Sequence, residues 1–371
     1  MNENKIKICY VVSSLCNEGP VNVMYNIIQY LDFNKFEVYI ITLREEKDNS
    51  LYDKFAGLPI EIEQLNIRSK LINIPKILIA LRNKLKKINP VLLHTHCPRS
   101  LFLSSVLSSS YIKVHTIHNL PGLVEKSLYG NITGAVTVKL ILYSLKKINN
   151  PITCAEYIKN YLLEKHKIIA NTIKNGSDFG VADCNVSAKD NYRKNLGLVS
   201  DKKYFVFVGR FSPEKNPLLL INLFAKLERS DIALIMLGDG PLMNDIDKNN
   251  TQNIVFTGFT NKVREYLLAS DYFVSSSLSE GLPNSVIEAM SVGLPLLLSN
   301  IPAHKDIING REKKAGFLFD LEEKDFIKKM EELISLPYEV TCNSIKQNFV
   351  ENYTAKGMSE AYQKTYLSNF Q

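Results

Sequence analysis

A repeated switch of hydrophobic period constrains this chain most: short β-branched runs alternate with longer segments of helical spacing, and the whole pattern occurs twice. In the first half, strand-like runs fall at 6–13, 37–42, 60–64, 91–94, 113–117 and 152–154, with helical patterns at 21–30, 74–87, 100–108, 136–147 and 156–164. In the second half, strands are expected at 204–208, 233–237, 254–256, 272–275 and 296–299, and helices at 217–227, 262–268 and 284–292. Such alternation is the pattern of an α/β protein with parallel sheets. From about 173 to 198 it gives way to Gly, Asn, Asp and Ser, including Asn175-Gly176-Ser177-Asp178, and a linker is expected there. A chain of 371 residues also exceeds one ordinary core. Two Rossmann-like domains are therefore expected, at 1–180 and 181–352, with the helical tail 353–371 packing back on the first.

Charge separates the halves. Residues 1–182 hold 23 Lys and Arg against 14 Asp and Glu, whereas residues 183–371 hold 22 against 24. The positive first half suits an anionic surface, either membrane lipid or nucleic acid. Aromatic residues do not interleave with its basic ones, which argues against nucleic acid. Residues 69–87 combine apolar positions with six Lys and Arg, a pattern suited to the headgroup zone of an anionic membrane or to a domain helix with a solvated basic face. No uncharged apolar run approaches the roughly 18 to 20 residues of a membrane span; residues 132–145 stop after 14 and carry Lys139. The first residues lack the features of a signal peptide, and the six cysteines form no Cys-x-x-Cys pair. The expectation is a cytoplasmic protein with no disulfide framework, no zinc site and Cys9 as a small buried hydrophobe.

The chemistry-bearing stretches lie mostly in the second half. Residues 205–217, FVFVGRFSPEKNP, run from a buried strand through Gly209 into a helix, with Arg210 and Lys215 in the loop. Ligands of doubly wound sheets bind at the carboxyl ends of strands, where two such cations can converge on a diphosphate. The stretch 237–241, LGDGP, marks a tight turn close to a ligand or a neighbouring element. Asp245 and Asp247 form an Asp-x-Asp pattern that reads as solvated surface. Residues 277–295, SLSEGLPNSVIEAMSVGLP, place Glu280 on a loop and Glu288 near the start of the next helix, a combination of carboxylates and free N–H groups suited to sugar hydroxyls.

This combination resembles the large retaining glycosyltransferase family 4, particularly enzymes of bacterial capsule and exopolysaccharide assembly. The resemblance rests on EGLPNSVIEAMSVGLP preceded by VGRFSPEKNP and LGDGP, and it spans 206–300. It implies the GT-B fold, with two facing Rossmann-like domains and a cleft between them. It implies a nucleotide-sugar donor, most often a UDP-sugar, held mainly by the second domain, with no cofactor and no metal. Carried residue by residue, it implies that Glu288 binds the donor ribose, Glu280 the transferred sugar, and Arg210 with Lys215 the diphosphate. Gly209, Gly281, Leu282 and Asn284 complete the donor site, and Phe259 lies near the base. In the first half, Gly19 would let the backbone approach the donor phosphate. The family usually has two consecutive glycines there, and this chain has Glu18 at the first. His118, at a strand end, is expected either near the donor sugar or as a cap of its loop. His94 and His96 share one strand face and are expected in strand-end packing or acceptor contact rather than on a metal.

The implied reaction moves a sugar to a saccharide acceptor, polyprenyl-linked, at the inner face of the plasma membrane. Two other readings stay open: an epimerase of the same fold, which would convert donor without acceptor, and a noncatalytic nucleotide-sugar-binding partner of another transferase. No G-x-G-x-x-G opens either half, which argues against a dehydrogenase.

Overall fold

A computed structural model describes residues 5–68, 71–122, 130–181, 186–246, 251–308 and 315–370. The chain divides into two compact units, one of Met1–Gly176 with Ala355–Gln371 and the other of Ser177–Thr354.

The first unit holds strands β1 (Ile6–Val12), β2 (Phe36–Thr42), β3 (Glu61–Gln64), β4 (Leu92–Thr95), β5 (Ile112–Ile117), β6 (Asn150–Thr153) and β7 (Asn171–Thr172). Its helices are α1 (Gly19–Ile28), α2 (Tyr52–Ala56), α3 (Ile74–Ile88), α4 (Pro98–Ser105), α5 (Asn131–Leu145) and α6 (Glu156–His166), joined by the C-terminal helix Ala355–Leu367. The strands pair in parallel in the order β3-β2-β1-β4-β5-β6-β7. Alternation along β1 supplies both layers. Ile8, Tyr10 and Val12 join α1 and Met358, Tyr362 and Tyr366 of the C-terminal helix in one core. Cys9 and Val11 join Ile77, Leu81 and Leu85 of α3 and Leu103 of α4 in another. The apolar stripe of 69–87 is thus committed to the core, leaving its basic side to solvent; Ser69 and Lys70 lie outside the described residues.

The second unit holds β8 (Lys203–Val208), β9 (Ile232–Leu237), β10 (Ile254–Gly258), β11 (Tyr272–Ser275), β12 (Leu296–Ser299) and β13 (Gly316–Phe319), parallel in the order β10-β9-β8-β11-β12-β13. Its helices are α7 (Val186–Asn195), α8 (Pro217–Ala225), α9 (Val263–Ala269), α10 (Asn284–Ser291), α11 (Pro302–Ile308), α12 (Glu323–Ile334) and α13 (Tyr338–Asn352). The stretch expected to be a linker contains α7, a correction with a tertiary cause. Arg193 is buried, donates from Nε to the Ala269 carbonyl at 2.9 Å, and pairs through Nη2 with Asp271 at 2.6 Å. That anchor outweighs the weak helix propensity of a Ser- and Asn-rich stretch. Strands β7 and β13 and helix α11 also went unread in the sequence.

In both sheets the order of connection reverses once, at β1/β4 and at β8/β11. In open α/β sheets ligands bind beyond the strand ends at such a switch point.

Candidate functional site

In the second unit, the loops leaving β8 and β11 lie side by side because those strands are neighbours across the switch point. The first bends sharply at a 3₁₀ turn, Pro213–Lys215. The two loops are stitched together: Leu278 N donates to the Glu214 carbonyl at 2.8 Å, and Ser276 Oγ to the Asn216 carbonyl at 2.8 Å. This brings Lys215 Nζ to 2.5 Å from Glu280 Oε1, with the Glu280 side chain only 10% exposed. Ser277 Oγ donates to the same carboxylate oxygen at 2.7 Å. Gly281 and Leu282 are buried next to Glu280, and Asn284 opens α10.

Glu288 sits in the second turn of α10 rather than its first, partly covered, and burial raises its pKa from 4.5 to about 7. Arg210 is exposed, and its guanidinium has no ion pair with a described residue. Phe259 follows β10 and is 71% exposed. The glycine turn after β9 serves the neighbouring loop: a Cβ on Gly238, at φ +134°, would lie 1.9 Å from the Gly209 carbonyl oxygen, and one on Gly240 2.5 Å from that of Phe211. Phe211 N donates to the Asp239 carbonyl at 2.9 Å, so this turn sets the backbone of Gly209 and Arg210. Asp245 is exposed, and Asp247 lies outside the described residues.

In the first unit, a cavity of about 290 Å³ opens at the ends of β1, β4 and β5, lined by Glu18, Arg44, His96, Cys97 and His118 among others. Gly19 is the first residue of α1, exposed beside Glu18. His96 and His118 form part of its wall, and His94 lies behind them. His94 is fully buried, with Nδ1 2.7 Å from Tyr366 Oη and Nε2 2.9 Å from Thr116 Oγ1; Tyr10 and Tyr362 extend that network. The rings of His94 and His96 lie 4.3 Å apart, as two residues on one strand face should. His96 Nδ1 is 3.0 Å from His118 Nε2, so one ring donates and the other accepts, and His96 Nε2 has no partner among the described residues. Burial lowers the His118 pKa to about 4 and holds His96 well below 6.5, keeping both neutral at pH 7. Among the described residues no group of three potential metal ligands occurs, and Cys9, Cys16, Cys97, Cys154 and Cys342 are free; Cys184 lies outside them. Cys9 is fully buried in the sheet.

Two family models match the chain in succession. Residues 18–179 match Glycosyltransferase Family 4, and residues 188–352 match Glycosyl transferases group 1. The chain belongs to these glycosyltransferases. One relative is the UDP-Gal:alpha-D-GlcNAc-diphosphoundecaprenol alpha-1,3-galactosyltransferase of Escherichia coli, 29% identical, with 87% of this chain and 86% of that protein covered. Another is the capsular polysaccharide biosynthesis glycosyltransferase CapH of Staphylococcus aureus, 26% identical, covering 96% of this chain and 98% of that one. The crystal structure of Anabaena Alr3699/HepE in complex with UDP superimposes with a TM-score of 0.80 at 15% identity, over 98% of this chain and 100% of that one. That likeness shows the fold, GT-B.

For this glycosyltransferase, sequence reading missed Ser277, Arg44 and His304, and it did not pair His96 with His118. Arg44 donates from Nη2 to Ser14 Oγ at 3.0 Å at the cavity edge. His304, at the start of α11, is fully buried; its Nδ1 is 2.9 Å from the Ser299 carbonyl and its Nε2 has no described partner. Its pKa falls to about 4, chiefly through burial, with the charges of Glu280 and Lys215 acting in opposite directions. An isolated polar residue in a loop or short helix gives no periodic signal, which is why these escaped notice.

Proposed function

We propose that this glycosyltransferase moves a hexose, with retention of configuration and without a metal ion, from a nucleotide-diphosphate donor, in the first instance a UDP-sugar, to a saccharide acceptor. The acceptor is a polyprenyl-linked saccharide of bacterial surface polysaccharide synthesis, met at the inner face of the plasma membrane. The diphosphoundecaprenol acceptor of the Escherichia coli relative favours this class of acceptor, and the capsular role of CapH favours surface polysaccharide. The observation that carries the donor assignment is the Lys215–Glu280–Ser277 cluster on adjoining loops at the sheet's switch point.

In this reading Glu288 accepts hydrogen bonds from the donor ribose, and the raised pKa of its carboxyl reflects its partial burial in α10. Phe259 lies beside the base. Glu280, held by Lys215 and Ser277, receives hydroxyls of the transferred sugar, with Gly281, Leu282 and Asn284 forming its rim. His118, backed by His96, also serves that sugar, and Gly19 serves the donor phosphate. Arg210 and Lys215 oppose the negative charge that grows on the diphosphate as the anomeric C–O bond breaks. The acceptor hydroxyl oxygen bonds to the anomeric carbon on the same face, and its proton passes to the departing phosphate oxygen. Removing one such charge-stabilising donor typically costs about 10² to 10³ in rate. Glu280 and Glu288 are not assigned as an acid and nucleophile pair, because the leaving diphosphate needs no protonation by a carboxylic acid.

Thermal unfolding with UDP, GDP, ADP and their sugar conjugates tests the donor site. A ligand at 100 times its dissociation constant adds about 2.7 kcal/mol to the folded state. A shift selective for one nucleotide and lost in Lys215→Ala and Glu288→Ala is expected; no shift with any nucleotide overturns the assignment. Conversion of the donor in the absence of acceptor would favour an epimerase, and loss of transfer in EDTA would overturn metal independence.

A further inference from the structure

Helix α5 is apolar on two opposite sides. It packs on α4 through Gly134, Ile141, Ser144 and Leu145, with Ser105 Oγ donating to Ser144 Oγ at 3.3 Å. On the opposite side Ile132, Val136, Leu140 and Tyr143 stand 84%, 52%, 46% and 54% exposed. Their spacings of four, four and three residues put them in one stripe, directed away from the unit's core. A helix with apolar residues on both sides is suited to burial on both sides. Among the described residues nothing covers the second side.

The surroundings of the stripe say what would cover it. Lys139 stands exposed at its edge, and Lys146 and Lys147 follow its end, with Lys147 Nζ 4.5 Å from the Tyr143 ring centroid. Helices α3 and α4 occupy the same face of the sheet, sharing a core, and Arg82 Nη2 reaches the Val106 carbonyl at the end of α4. On α3, Lys76, Arg82, Lys86 and Lys87 are exposed together with Ile79. Neither α3, α4 nor α5 contains a single Asp or Glu. The face therefore joins an apolar stripe to a field of exposed cations.

We infer that this α3–α4–α5 face binds an anionic lipid bilayer, with the α5 stripe in the boundary between headgroups and acyl chains and the cations against lipid phosphates. Apolar burial and charge neutralisation are then met by one partner. A second copy of the chain would set cations against cations, and a nucleic acid would leave the apolar stripe uncovered. The inference deepens the proposed use of a lipid-linked acceptor, yet it requires neither donor nor acceptor. It also moves the membrane contact from the apolar side of α3, which is core, to α5.

The test is co-sedimentation of the purified full chain with phosphatidylglycerol–phosphatidylcholine vesicles and with phosphatidylcholine vesicles, at low and high salt. Binding to the anionic vesicles is expected, weakened by salt. The double variant Val136→Asp/Leu140→Asp should lower the partition coefficient at least tenfold, and Lys139→Gln by about fivefold. All four stripe positions point away from the core, so an unchanged thermal transition and an unchanged response to UDP should accompany the loss. Val136→Thr/Leu140→Gln, which adds no charge, should give an intermediate loss. Unaltered vesicle binding in the aspartate variant overturns the inference. So does concentration-dependent dimerisation that the same variant abolishes, since the cover would then be another copy. If vesicle binding holds and no nucleotide stabilises the protein, the donor-site assignment fails and the membrane surface stands.

Discussion

Replacing Glu288 by Gln probes the electrostatics of the proposed donor site without any ligand. The carboxyl stands partly covered in α10, and desolvation alone raises its pKa from 4.5 to about 7. A carboxyl whose folded value lies above its unfolded value takes up a proton more readily when folded, so its ionisation opposes folding. The penalty is absent below the unfolded value of 4.5, grows as pH rises toward 7, and is complete above it. At about 1.36 kcal/mol per pKa unit, a shift of this size amounts to roughly 3 kcal/mol, lowered to about 2 kcal/mol by the solvent that reaches the partly exposed group. Glutamine keeps the shape and cannot ionise. Urea unfolding at a series of pH values should therefore find Glu288→Gln more stable than the parent by about 2 kcal/mol at pH 8, with the two converging near pH 4. A difference independent of pH, or a parent more stable at pH 8, would show that the carboxylate is not desolvated and would refute the reasoning. The same variant should bind UDP more weakly, so stability and ligand binding move in opposite directions, as expected for a group kept for function.

Other expectations follow from particular contacts. Tyr366→Phe removes the hydroxyl shared by His94 Nδ1 and Tyr10 Oη and should cost about 1–3 kcal/mol in denaturant unfolding, because two buried polar groups lose a partner. Gly238→Ala places a Cβ 1.9 Å from the Gly209 carbonyl at a positive φ, so a loss of about 2–4 kcal/mol is expected, together with weaker nucleotide binding as Arg210 shifts. Burial depresses His115 to about 3 and His118 to about 4, so their stabilising effect is whole above pH 6.5 and is lost as pH falls toward those values. The first unit should accordingly unfold on acidification before its carboxylates are fully protonated, which circular dichroism across pH 7 to 3 would follow; a flat response would contradict the burial of the cluster. Lys215→Ala should lower the transfer rate by about 10² to 10³ and leave Glu280 without its cation, measured as kcat once the donor is identified.

The sequence carried the α/β class because it arises from short-range signals: β-branched runs fix strands, 3.6-residue spacing fixes helices, and their alternation leaves parallel pairing as the workable answer, whereas the GT-B arrangement was legible only through the family resemblance of the motifs. The motif around Glu280 and Glu288 was equally legible, since it is contiguous. The two-residue strand β7 and the polar helix α7 were not, because neither has a hydrophobic period and α7 depends on the Arg193–Asp271 ion pair 78 residues along the chain.

What only the tertiary structure decided is which side chains meet and which faces stay open. Sequence spacing placed Lys215 and Glu280 on separate loops; the adjacency of β8 and β11 brings their charged atoms to 2.5 Å. It placed His118 and His96 at separate strand ends, whereas neighbouring β4 and β5 bring His96 Nδ1 to 3.0 Å from His118 Nε2. It left α3 as either a membrane-surface helix or a domain helix with a solvated basic face; packing takes the apolar side of α3 into the core, the second of these, and leaves one apolar side of α5 outside. Periodicity tells that a helix has an apolar side; only the positions of its neighbours tell whether that side is already covered.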